Sequence, residues 1–315
     1  MDLNARVRVG KTSLAVPRVG VGTAPLGNMF EAHSDAHADA VLASAVAHGL
    51  RYFDTAPLYG HGLAELRLGA VLSSKPRDEF VLATKVGRLL RAGAPPEPGQ
   101  AYKGVPPVNP VFDFSYDGVM RSVEESLSRL GLDRIDVLHI HDPDDHFEEA
   151  LTGAYRALDR LRDEGSIRAV GAGMNQSEML VRFAREANFD CFLLAGRYTL
   201  LDRSGAAELL PLCAERRIAI IAGGVFNSGI LADPRPGATF NYTTAPPELV
   251  RRATELKAVC DRAGASLKAV AIQFPLRHPA VATVLTGCRS VAEVEQNIRA
   301  FQADIPDELW PVLDA

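Results

Sequence analysis

The chain of 315 residues is 47% hydrophobic and carries a formal net charge of −5. Its size and apolar content suit one α/β barrel, and its acidity excludes the basic footprint of nucleic-acid binding. No apolar run approaches the ~18 residues of a membrane span, and the charged first ten residues lack the apolar core of a secretion signal.

Residues 7–9 and 12–16 flank Gly10-Lys11 and read as a hairpin. Eight short, mostly apolar runs follow, at 19–23, 52–55, 80–85, 135–141, 167–172, 191–195, 218–222 and 281–285. Strands buried on both faces have this composition. Helical spacing alternates with them over 35–48, 63–72, 116–130, 147–163, 178–186, 206–216, 247–263 and 290–301. Extra helices are expected at 266–276 and 306–313. Gly131, Gly165 and Gly264 stand where helices end in a left-handed residue. Eight strand–helix units predict a (β/α)8 TIM barrel with an N-terminal β-hairpin and extra C-terminal helices, as a single domain over 1–315. The rival open sheet would carry a third glycine after Val19-Gly20-Val21-Gly22-Thr23-Ala24, and none is there. One segment, 88–115, breaks the alternation. It is long, rich in Pro and Gly, and contains Tyr102, Phe112 and Phe114, which predicts a loop that covers the substrate. The four cysteines, Cys191, Cys213, Cys260 and Cys288, are scattered without metal spacing and read as reduced thiols of a cytoplasmic protein.

In such a barrel the C-terminal strand ends face the active site. Asp54 and Tyr59 follow the second strand, Lys85 ends the third and His141 ends the fourth, so all four can converge. A tyrosine titrates near pH ~10, and an ammonium beside it would favour the phenolate. Asp54 would hold Lys85 charged and oriented, and a histidine could bind the substrate oxygen. The combination predicts a tuned phenol acting as general acid or base on a carbonyl or hydroxyl. His139, two residues before His141, shares its side of the strand, and either could be a satisfied core histidine. A metal site built from His139, His141 and Asp142 would lack a further well-placed ligand, so no metal is expected.

Phe53-Asp54-Thr55-Ala56, Tyr59-Gly60, Thr84-Lys85, and His141 two residues before Pro143 together resemble the aldo-keto reductases. The resemblance extends from the hairpin to about Asn297. It implies the barrel, the tetrad Asp54, Tyr59, Lys85 and His141, and hydride exchange between a carbonyl carbon and a nicotinamide nucleotide bound in extended form. The family pattern favours His141 over His139. It carries cofactor contacts onto Gly22, Thr23, Asp54, Asn175, Gly223, Phe226, Gly287, Arg289, Glu293 and Asn297. Three positions depart from it. Met174-Asn175 replaces the Ser-Asn pair that holds the carboxamide, Ala195 replaces a Gln, and Gly223 stands where an aromatic often stacks on nicotinamide, leaving Phe226 as a substitute. Gly287 and Glu293 replace the Lys and Arg that favour a 2′-phosphate, and a carboxylate there repels phosphate but accepts from a 2′-hydroxyl. NAD is therefore expected over NADP, with Arg289 as the one guanidinium able to clamp a phosphate.

The wording of 130–144 and 171–176, with Leu194-Ala195-Gly196-Arg197-Tyr198, is similar to a branch of that family. The branch holds sugar 1-dehydrogenases acting on L-fucose, D-threo-aldoses and L-galactose, and a pyridoxal dehydrogenase. The resemblance implies a small sugar or aldehyde as substrate and leaves the oligomeric state open. Tyr102, Asn109, Asn227 and Arg197 are candidates for binding substrate hydroxyls, while a pocket of Phe112, Phe114 and Phe226 would suit a flat ring.

Overall fold

Eight parallel strands close into a barrel in the computed structural model, which describes residues 1–96, 99 and 101–314. A hairpin comes first, β1 (Arg6–Arg8) and β2 (Ala15–Pro17), turning at Gly10 with φ 55°. The barrel is formed by β3 (Val19–Gly22), β4 (Tyr52–Asp54), β5 (Val81–Val86), β8 (Val137–His141), β9 (Ala169–Met174), β10 (Cys191–Ala195), β11 (Ala219–Gly223) and β14 (Val281–Gly287). They pair in chain order, and β14 closes on β3 through Gly287↔Gly22. The expected eight runs all form, each within two residues of its predicted edges.

Strand alternation divides the core into two shells. Tyr52, Val81, Ala83, Val137, Ala169 and Cys191 point inward and pack on Val9, Leu14 and Val16, so the hairpin plugs the barrel's N-terminal end. Phe53, Leu82, Leu138, Ile140 and Phe192 point outward under the helices. Those helices are α1 (Asp35–Ala47), α2 (Leu63–Leu72), α3 (Tyr116–Leu130), α4 (Phe147–Glu149), α5 (Arg156–Asp163), α6 (Glu178–Glu186), α7 (Leu209–Arg216), α8 (Pro247–Arg262), α9 (Leu267–Gln273), α10 (Val291–Gln302) and α11 (Leu309–Asp314). Ser115 Oγ accepts from Gly118 N at 3.0 Å to open α3, and Gly131 closes it at φ 61°.

Three details differ from expectation. The run 147–163 is interrupted by a π-helical stretch, Ala150–Tyr155, where Gly153 lies against the Phe114 backbone. Helix α7 begins three residues later than predicted because a short 3-10 turn, Ser204–Ala206, precedes it. The 88–115 segment is no bare loop. It folds back as β6 (Arg88–Arg91) on β7 (Asn109–Phe112), and Met29 pairs with Tyr102 across the cleft mouth. A second small hairpin, β12 (Thr239–Phe240) and β13 (Thr243–Thr244), stands over β11. All four cysteines are free and buried. No helix among the described residues is long and apolar enough to cross a membrane.

Candidate active site

Lys85 is a fully buried charge at the C-terminal end of the barrel, with its side chain 1% exposed. An ammonium there is tolerable only when paired. Its Nζ donates to Asp54 Oδ1 at 2.6 Å and to the Thr55 carbonyl at 2.9 Å. It stands 4.6 Å from the centroid of the Tyr59 ring, and that ring meets His141 edge-on at 5.7 Å. The four side chains expected to converge therefore do so.

Tyr59 is placed by a close backbone approach. A Cβ on Gly27 would lie 2.6 Å from the Tyr59 carbonyl carbon, and one on Gly60, at φ +64°, would lie 2.3 Å from the Gly27 oxygen. Only glycine fits both positions. Gly60→Ala is expected to lower turnover by about 10²-fold, since a shift near 1 Å at a reacting group costs that much. The check is kcat alongside thermal unfolding: a folded, fully active variant would show that the approach does not set the phenol.

The cleft has a volume of ≈ 330 Å³ and is lined by Tyr59, Lys85, His141 and Asn175, with Met29, Leu58, Arg88, Tyr102, Asp142, Met174 and Tyr242 among its other walls. Burial dominates its electrostatics. It raises the Asp54 carboxyl against the pull of Lys85, and it drives His141 well below its ordinary value, helped by Lys85 and Arg88. His141 is thus neutral at physiological pH, a donor or acceptor and not a cation. Burial also raises the Tyr59 phenol well above its ordinary value, with Asp54 and Asp142 adding to it and Arg88 opposing. This corrects the expectation that Lys85 makes the phenol acidic. The ammonium faces the ring, its proton donors are directed to Asp54 and Thr55, and desolvation outweighs attraction. His139 lies fully buried beside Gly171 with its pKa lowered to about 3 by burial and Lys85, and neither ring nitrogen has a partner among the described residues. No group of three or more metal-ligating side chains occurs among the described residues.

Of the expected cofactor positions, Asn175 lies in the cleft and faces Tyr242. Thr23 is buried, with its hydroxyl donating to the Asp54 carbonyl at 3.1 Å, so it braces Asp54 from behind. Gly22 and Gly287 pair where β3 meets β14, and a Cβ on Gly22 would meet nothing. Gly223 ends β11, and the half-buried Phe226 follows it. At the start of α10, Glu293 accepts from Arg289 N at 2.7 Å and ion-pairs with its guanidinium at 2.8 Å. Asn297 is buried with Oδ1 unpartnered among the described residues. That orphaned acceptor, on a side chain that donates to Cys288 Sγ next to the Gly287–Gly22 pairing, fits the adenosine end of a nicotinamide dinucleotide. Lys268, absent from the sequence reading, also reaches this rim. It comes from α9, donates to Gln296 at 3.2 Å and stands 5.6 Å from the Phe226 ring.

Most of the candidate hydroxyl ligands have structural duties instead. Asn109 donates to Ala94 O at 2.7 Å within the strap. Asn227 accepts from Thr199 at 2.6 Å, and Arg197 donates to Asn241 at 3.0 Å. Only Tyr102 of the four lines the cleft. Phe112 lies under Arg88, Phe114 is buried beneath the strap, and neither they nor Phe226 line the cleft. A smaller cavity of ≈ 210 Å³ at the barrel's other end holds Arg77 and Asp136, paired at 2.7 Å, and none of the groups above.

Comparison with known proteins agrees with this geometry. The aldo/keto reductase family profile matches residues 18–315. A pyridoxal 4-dehydrogenase from Microbacterium luteolum is 45% identical over 97% of this chain and 95% of its own. A D-threo-aldose 1-dehydrogenase from a Pseudomonas species is 45% identical over 95% and 94%. The holo form of an aldo-keto reductase from Bacillus halodurans superposes with a TM-score of 0.78 at 26% identity, covering 98% of this chain and 95% of that one.

Proposed function

The chain belongs to the aldo/keto reductase family, whose members are oxidoreductases using NAD(P)H, and on that premise we propose that it oxidises an aldose at C1 to the lactone with NAD. The carrying observation is the Asp54–Lys85–Tyr59–His141 cluster at the floor of a cleft that sets Arg88, Asp142, Asn175, Tyr102 and Tyr242 among apolar walls. Tyr59, as phenolate, accepts the proton of the C1 hydroxyl. Neutral His141 binds the same oxygen and fixes its position. Lys85, tied to Asp54, holds a positive charge against the Tyr59 ring where phenolate character develops. An oxidised nicotinamide bound here would supply the acceptor for the C1 hydride and a positive charge in the cleft. Asn175 would hold its carboxamide end, and Asn297 and Glu293 its adenosine end. In the reverse direction a phenol kept protonated by burial is a ready proton donor to a carbonyl.

A second reading, pyridoxal oxidation, is favoured by the 45% identity to a pyridoxal 4-dehydrogenase. Tyr102 and Tyr242 also line the cleft, but the charged and hydrogen-bonding groups Arg88, Asp142 and Asn175 favour a polyol. L-Fucose, D-arabinose and pyridoxal assayed with NAD by NADH absorbance separate the two. The sugars are expected to turn over with the higher kcat/KM, and a clear preference for pyridoxal would overturn the aldose reading.

Coenzyme choice rests on Glu293, which occupies Arg289 and leaves no guanidinium to meet a 2′-phosphate. NAD is expected to exceed NADP in kcat/KM. Glu293→Gln, which releases Arg289 and removes the repelling carboxylate, is expected to shift the NADP/NAD ratio upward by about 10-fold, the worth of one charge-assisted contact. An unchanged ratio, or a wild type that prefers NADP, contradicts this assignment.

A further inference from the structure

Strand geometry sends successive side chains to opposite faces of a sheet. His141, at the end of β8, looks into the cleft, so Asp142 would ordinarily look out toward the helices. It does not. Asp142 takes φ +43° while its N–H still donates to Gly173 O at 3.1 Å, and this left-handed turn brings two adjacent side chains into the same cavity. A non-glycine residue in that conformation carries strain, and such strain gathers at functional positions. The carboxylate it aims stands with Oδ2 3.4 Å from His141 Nε2 and 3.6 Å from Arg88 Nη2. Arg88 is itself fixed, 9% exposed along its side chain with its guanidinium over the Phe112 ring at 4.7 Å.

The strap and β8 therefore deliver an acceptor and a donor side by side, one hydrogen-bond length from the histidine that would hold the reacting oxygen. We infer that Asp142 is the substrate-recognition group of this site: its carboxylate accepts a hydrogen bond from the hydroxyl on the carbon next to the reacting one, while Arg88 holds the carboxylate and faces the ring oxygen. This deepens the aldose reading and rests on it. An ionised carboxylate only accepts and a guanidinium only donates. In a cyclic aldose C1 is flanked by a hydroxyl, which donates, and by the ring oxygen, which only accepts. The Asp142–Arg88 polarity thus sets which way round the sugar lies. A substrate without the neighbouring hydroxyl would forgo that bond, and sites built to bond a hydroxyl reject analogues lacking it.

The test compares D-arabinose with 2-deoxy-D-ribose, which lacks the C2 hydroxyl, in wild type, Asp142→Gly and Asp142→Asn. Glycine removes the carboxylate and accepts the backbone angle without strain; asparagine tolerates the angle and keeps one acceptor. Wild type is expected to favour D-arabinose by about 10²-fold in kcat/KM, Asp142→Gly by less than about 5-fold and Asp142→Asn by an intermediate ratio, mostly through KM. Affinity for NADH, read by its fluorescence, is expected to stay within about twofold across the three, which a collapsed site would not allow. A discrimination unaltered in Asp142→Gly, or absent in wild type, overturns the assignment. Reduction of lactaldehyde and propanal, which differ only in the C2 hydroxyl, with NADH poses the same question without a cyclic sugar. If neither sugar is oxidised yet the lactaldehyde preference exists and vanishes in Asp142→Gly, Asp142 stands and the aldose reading falls. If that preference survives in Asp142→Gly, the inference falls whichever substrate is native.

Discussion

Tyr59→Phe is expected to reduce turnover at least about 10³-fold with little change in NADH affinity or melting temperature. The hydroxyl contributes nothing to packing that phenylalanine lacks: the ring keeps its edge contact with His141 and its place beside the Lys85 ammonium. Loss of a general acid–base group alone costs 10²–10⁴-fold. Here His141 already binds the same oxygen and Lys85 donates to Asp54, so neither takes over the proton. The pH profile carries the same signature. Burial raises the Tyr59 phenol, so oxidation, which needs the phenolate, should gain with rising pH from about 7 to about 9, whereas reduction, which uses the protonated form, stays level there. His141, lowered well below its ordinary value, contributes no limb near neutrality. A variant retaining a tenth of wild-type activity, or an oxidation profile set by a group near pH ~6.5, would remove Tyr59 from the proposed role.

Lys85→Met is expected to cost both activity and stability, and the two losses separate. Asp54 is 2% exposed and depends on that ammonium; breaking a buried pair by removing one partner costs about 3–5 kcal/mol, because the remaining charge is uncompensated. Asp54→Asn in the same chain replaces that charge by a neutral amide. The double variant should regain most of the melting temperature lost by Lys85→Met, as a near-isosteric neutral pair is often tolerated. Activity should not return, since no positive charge remains against the Tyr59 ring; kcat is expected to stay about 10²–10³-fold below wild type, the range for losing one electrostatic contact to developing charge. Recovery of turnover together with stability would reduce Lys85 to a structural role.

The barrel was legible because its strands are short apolar runs set between amphipathic helices, a pattern no open sheet shares here. The tetrad was legible for a related reason: a carboxylate, an ammonium and a histidine each ending a buried strand are costly unless they meet. What escaped the sequence depends on distant backbone. Nothing local marks Asp142 as left-handed, since the residue before a proline is ordinarily extended. Nothing in 88–115 announces that Arg88–Arg91 pairs with Asn109–Phe112 and so fixes Arg88 in the cleft. Tyr242 reaches the site on a hairpin whose tip, Asn241–Tyr242, has positive φ at both residues without a glycine. Lys268 arrives from the helix inserted before the last strand. The phenol's upward shift was missed because burial, unlike a neighbouring charge, cannot be counted from residue types alone.

The central claim is that C1 of an aldose loses its hydrogen as hydride to the nicotinamide while Tyr59 takes the hydroxyl proton. The most direct measurement is the isotopic mass of NADH formed from an aldose deuterated at C1. The account predicts NADH carrying the deuterium, from wild type and at the residual rate from Tyr59→Phe, with the corresponding lactone as product. Unlabelled NADH, or a labelled sugar returned unchanged while another carbon is oxidised, would contradict it.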